Sequence, residues 1–212
     1  MSATRFVLVS CVALASVAVA CRQDDTPPPP PPTTETPKEA PPTERVVGPL
    51  SEADAAALAS MNDRLAKYVE LHKKLEATLP KLSENASAKQ IDQNQRTLER
   101  LIRDTRAEAK QGDIFTPEAQ PVIKRLLGAA FSGPGGREMK ASIMDENPVD
   151  LTLKVNARYP DTVPLSTVPP EVLQTLPKLN EEMEYRFIGN RLILLDVHAH
   201  VIADFINDAI PI

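Results

Sequence analysis

Six consecutive prolines, Pro27 to Pro32, constrain this chain more than any other feature. Each fixes φ at about −65° and lacks an amide donor, so the run joins neither a helix interior nor a sheet and takes up polyproline II. Pro37, Pro41, Pro42 and Pro49 extend the restriction through residues 22–49, where the intervening Thr, Glu and Lys side chains supply no core. At about 3.1 Å per residue the stretch reaches at most roughly 87 Å. Folding is therefore confined to residues 51–212, long enough for one ordinary domain, and residues 21–50 read as a semi-rigid spacer.

The segment ahead of the spacer explains what it is tied to. A single cation, Arg5, precedes an apolar run from Phe6 that closes on Ala18-Val19-Ala20-Cys21 before the polar Arg22-Gln23-Asp24-Asp25. That ending resembles the lipobox of bacterial lipoproteins, with Ala18 where the family favours Leu. The resemblance implies that residues 1–20 are a signal peptide, that Cys21 is the lipidation site, and that the protein is exported and held at the periplasmic side of a membrane. Arg22 stands where some lipoproteins carry the aspartate that retains them in the inner membrane, which favours the outer membrane. Cys11 leaves only Phe6 to Ser10 as apolar core, short of the roughly 7 to 15 residues a signal needs. Ala18-x-Ala20 also fits an ordinary signal peptidase, which would release a soluble protein. A spanning helix fits least, since Phe6 to Ala20 falls below the roughly 17 to 25 residues required.

Charge and cysteine content exclude several classes. With 24 basic and 29 acidic side chains the formal net charge is −5, and Arg5 is the sole charge in the first twenty residues. A mildly acidic chain without a basic stripe is no nucleic-acid binder. Residues 22–212 contain no cysteine, so no disulfide supports the fold in an oxidising compartment.

The domain is expected to be α+β: an N-terminal antiparallel helical hairpin, two shorter helices, then an antiparallel sheet of about four strands. Ser51-Glu52-Ala53-Asp54 approximates a capping box. A seam follows at Leu58, Met61, Leu65, Tyr68, His72, Leu75 and Leu79, ending at Pro80. This predicts a helix over about 52–79. Ser87-Ala-Lys-Gln90 caps a second helix with seam Ile91, Gln95, Leu98, Ile102, Thr105 and Ala109, and Gly112 is its expected C′ glycine. Folding the pair about residue 83 places His72 opposite Gln95, Leu65 opposite Ile102 and Met61 opposite Thr105, which gives His72 a structural, register-setting role. Thr116-Pro117-Glu118 opens a third helix that ends at Ser132 to Gly136, and Arg137 to Glu146 is a fourth, closing this helical part (51–146).

Past Asn147-Pro148 the apolar period becomes two. Leu151, Leu153, Val155, Ala157 and Tyr159 alternate with polar residues, which predicts a half-buried strand. A helical turn is expected around Glu171 to Leu176. Met183, Tyr185 and Phe187 mark the next strand, and Gly189-Asn190 joins it as a hairpin to Leu192 to Leu195. Asp196-Val-His-Ala-His200 reads as a turn, and Val201 to Ile206 as a fourth strand, with a helix over Val201 to Ala209 as its alternative. This β-rich part (148–212) ends in PPEVLQTLPKL…EMEYRFIGNRLILLDVHAHVIADFI, which resembles the ending of a group of uncharacterised exported bacterial proteins. The resemblance implies one recurring unit of helices and sheet and supplies no activity.

Few residues carry chemistry. Asp196, His198 and His200 would share a strand face and offer three ligands to a transition metal, or diverge as a solvated turn; the latter is the reading here. No catalytic, cofactor or metal residue is assigned, and G-x-S-x-G and HExxH are missing from the chain. The expected function is a lipid-anchored, non-enzymatic module of the cell envelope that binds a protein or cell-wall partner. The alternative is an exported hydrolase with a site near Asp196, His198 and His200.

Overall fold

The computed structural model describes residues 50–145 and 151–210, which belong to one compact unit. The segment expected to be a signal peptide, Cys21, the proline-rich stretch, Glu146 and Asn147-Pro148 lie outside the described residues. Among those described, the elements run α1 (Glu52–Glu76), α2 (Ala88–Thr105), α3 (Ala119–Ser132), α4 (Gly136–Asp145), α5 (Pro170–Leu173), β1 (Met183–Ile188), β2 (Arg191–Asp196) and β3 (Val201–Ile206). The strands form one antiparallel meander, β1-β2-β3. None of the described helices is long and apolar enough to cross a membrane.

Both expected capping boxes are present. Ser51 Oγ accepts the Asp54 amide while Asp54 reaches back to the Ser51 amide, and Ser87 and Gln90 repeat the exchange. Along α1 the seam from Leu58 through His72 is buried. It meets Val122, Ile123, Leu126 and Leu127 of α3 and the Tyr185, Phe187, Leu192 and Leu194 face of the sheet in one core.

The helix pair departs from expectation. α2 buries only Leu98, Glu99 and Ile102, leaves Ile91 exposed, and stops at Thr105. Arg106 then turns away: its guanidinium lies 4.7 Å from the centre of the Tyr68 ring, and its backbone and side chain are both bound by Asn156. The proposed register would have set Arg106 near residue 61, about two turns from Tyr68. His72 does not meet Gln95 either, since Gln95 accepts a hydrogen bond from Arg158 and His72 faces the sheet. Gly112 has the positive φ expected of a C′ glycine, 92°, but it lies in the loop beyond the helix, where its amide binds Asp204.

Among the described residues the sheet holds three strands rather than the expected four. Gly189-Asn190 makes the tight β1–β2 turn with Ile188 opposite Arg191, and Val201–Ile206 is strand, so the C-terminal helix alternative is excluded. Leu151 to Tyr159, expected as a strand, is irregular. Asn156 adopts φ 62°, which reverses the chain, and only an isolated bridge joins Arg158 to Val201. The alternating apolar residues have another use: Leu153 and Tyr159 pack with Ile188, Ile193, Leu195 and Ile202 against the sheet face remote from the helices. That cover explains why β2 and β3 are buried on both faces.

Candidate functional site

Asp196 ends β2, and its carboxylate, fully buried, organises the surrounding side chains. Oδ1 accepts the Ala199 amide at 2.8 Å, which closes the β2–β3 turn. Oδ2 accepts the Tyr68 hydroxyl at 2.8 Å and lies 2.6 Å from His72 Nδ1. Tyr68 and His72 reach it because they stand four residues apart on the buried stripe of α1. The long-range cluster thus joins the helix seam to the strand end.

With Nδ1–H directed at Asp196, Nε2 carries the lone pair when the ring is neutral and a second proton, facing Glu76, when the ring is charged. That nitrogen is buried and has no hydrogen-bond partner. It stands 3.4 Å from Glu76 Oε2, within ion-pair range but without hydrogen-bond geometry. Glu76, one turn further along α1, turns its other oxygen to His198 Nδ1 at 3.0 Å. The His72 and His198 rings are 5.4 Å apart between centroids. Glu76 and His198 side chains are 40% and 45% exposed, whereas His72 is fully buried, so the cluster runs from a fixed interior imidazole to a solvent-facing rim.

Glu182 borders the cluster. Val197 donates its amide to the Glu182 carbonyl beside the β2–β3 turn, and the buried Glu182 carboxylate takes Lys73 Nζ at 2.8 Å. Burial opposes charge on both Glu182 and His72. For Glu182 burial is the largest influence and raises the pKa, but the Lys73 hydrogen bond, a backbone hydrogen bond and the charges of Lys73 and His72 together lower it overall. For His72 the hydrogen bond and charge of Asp196, with Glu76 and Glu182 nearby, outweigh burial and raise it. Burial and the Asp196 carboxylate together push the Tyr68 hydroxyl well up.

Of the triad weighed from the sequence, Asp196 and His198 belong to this cluster and His200 does not. His200 adopts φ 57°, so the two histidines diverge. Its ring packs edge-on against Tyr159, with Nε2 3.9 Å from Asp161, and burial followed by the Arg158 charge lowers its pKa. Asp196 faces inward to orient His72 rather than joining a ligand set with His198. His72, read as a register residue, is the centre of the site; Tyr68, Glu76 and Glu182 were missed. The i,i+4 pair His72 and Glu76 at the end of an amphipathic helix was the available signal.

Among the described residues, His72, Glu76 and His198 could hold a metal: each offers a donor atom, all within 4.8 Å of one another. A second buried carboxylate, Asp204, does different work. It accepts the amides of Gly112, Ile114, Phe115 and Phe205 at 2.8 to 3.0 Å and so closes the α2–α3 loop onto β3. Compared with protein families, curated proteins and solved structures, the chain matches none. Roles at this site therefore rest on geometry alone.

Proposed function

We propose that the chain is an exported lipoprotein, anchored through Cys21, whose folded domain is a non-enzymatic binding module of the cell envelope. Its ligand is taken where the end of α1 meets the β2–β3 turn. The observation that carries the binding role is the buried His72 Nε2, which has no hydrogen-bond partner, held in orientation by Asp196 and facing the half-exposed groups of Glu76 and His198. A buried polar atom without a partner costs about 1–3 kcal/mol, and a ligand at the rim would remove that cost.

The anchored part of the reading draws on the lipobox-like Ala18 to Cys21 and on the proline-rich arm, which suits a domain working away from its membrane. It includes the α1 and α2 helices as a hairpin offering its outer, charged face to an envelope partner. The resemblance of the C-terminal stretch to exported bacterial proteins agrees with this setting.

The test is lipid labelling and fractionation of the full chain. Cys21→Ser should abolish incorporation of a labelled fatty acid and move the protein to the soluble fraction. Membrane association that persists without label would overturn the anchor.

The Asp196–His72 hydrogen bond favours one second reading, an exported hydrolase, because a carboxylate behind a histidine is the arrangement of a general base. Nε2 faces a carboxylate rather than a hydroxyl or thiol, so water would be the nucleophile. Ester hydrolysis by the purified protein that is lost in a folded His72→Gln variant would support it over the binding role.

A further inference from the structure

We propose that His72 Nε2, the Glu76 carboxylate and His198 Nδ1 bind a transition-metal dication of the zinc class, with Asp196 as the positioning residue behind His72. The inference rests on the ligand-binding reading of this site and names the ligand.

Several independent observations converge on it. His72 is fully buried, and its Nε2 is turned toward Glu76 at the rim without a hydrogen bond, so the interior supplies a ligand atom that no hydrogen bond within the protein occupies. The donor set, two imidazoles and a carboxylate, suits zinc and its neighbours and is wrong for magnesium or calcium, which take oxygen ligands.

The spacing also fits. Donors at about 2.0 to 2.2 Å around a tetrahedral ion stand about 3.4 Å apart, and His72 Nε2 and Glu76 Oε2 already stand 3.4 Å apart. Glu76 and His198, which must adjust, are the half-exposed members. The outer groups complete the pattern. A ligating histidine usually gives its other ring N–H to a carboxylate that is itself hydrogen-bonded, and Asp196 takes His72 Nδ1 while being held by Tyr68 and Ala199.

Competition from the nearest lysine is removed by the fold, since Lys73 Nζ is drawn onto Glu182. His72 and Glu76 also lie in the closing residues of α1, whose carbonyl end favours positive charge. Three protein donors leave a fourth position for water or for a partner's side chain, as in an open zinc site.

The experiment uses the full chain purified from membranes with its lipid attached, stripped with chelator and titrated with zinc chloride by calorimetry. The Cys21→Ser form is run beside it so that a free thiol is not mistaken for the site and anchoring is tested separately. Both forms should take up one zinc per chain and ignore magnesium. Glu76→Gln and His198→Ala, at half-exposed positions that leave the core intact, should each weaken binding by at least about tenfold. His200→Ala should change it less than about twofold. No zinc uptake by the lipidated form, uptake that disappears in Cys21→Ser, or unchanged affinity in either site variant would overturn the proposal. A Cys21→Ser protein that stays in the membrane yet binds zinc would refute the anchor and leave the metal site standing.

Discussion

Removing the Asp196 carboxylate tests whether this cluster is held together as described. In Asp196→Ala, the Tyr68 hydroxyl, His72 Nδ1 and the Ala199 amide all lose their acceptor inside the protein. Each buried donor left without its acceptor costs about 1–3 kcal/mol, so the three together should cost at least about 3 kcal/mol, a large share of the roughly 5–15 kcal/mol that stabilises a domain. The contrasting variant replaces all three side chains: Tyr68→Phe, His72→Leu and Asp196→Leu. It strands only the Ala199 amide, at about 1–3 kcal/mol. Three substitutions should therefore destabilise less than one. Urea unfolding in the presence of chelator would read this directly. With a slope of about 1–3 kcal/mol per molar urea, Asp196→Ala should move the midpoint down by about 1 M or more, and the triple variant should recover part of that shift. A triple variant no more stable than Asp196→Ala, or a single cost below about 1 kcal/mol, would refute the reasoning.

Asp204→Ala should cost about as much as Asp196→Ala, because it strands four backbone amides, and hydrogen exchange should speed up first at Gly112, Ile114 and Phe115. Asp54 offers a test by pH. The Arg125 guanidinium first, then the Ser51 hydroxyl, hold its pKa down to about 2 from 3.8. A depressed carboxylate stabilises the fold above its unfolded pKa and loses that contribution as pH falls through the folded value. Acid unfolding of the native chain should thus show a component of lost stability between about pH 4 and pH 2 that is missing from Asp54→Asn.

The helices were legible where local chemistry decides them. Ser51 and Ser87 carry their own capping signals, and the period of Leu58, Met61, Leu65 and Tyr68 names the buried stripe without knowledge of what covers it. The hairpin at Gly189-Asn190 was readable for the same reason. Partners across the fold were not. The alternation from Leu151 to Tyr159 reports apolar contact on one side, and a covering segment satisfies that as well as a strand; the left-handed turn at Asn156 is stabilised by Arg106, fifty residues away. His72 was recognised as a polar residue on an apolar seam, but its acceptor lies 124 residues along the chain, beyond any periodicity. His198 and His200 looked equivalent because an extended chain would align them, and the positive φ at His200 undoes that alignment.

The most direct measurement is a crystal structure of the zinc-loaded full chain with anomalous diffraction recorded at the zinc edge. The account predicts one strong peak within about 2.0 to 2.2 Å of His72 Nε2, Glu76 and His198, with the Asp196 carboxylate still on His72 Nδ1. A zinc ion bound between His200 and Asp161, with His72 Nε2 left unliganded, would contradict it.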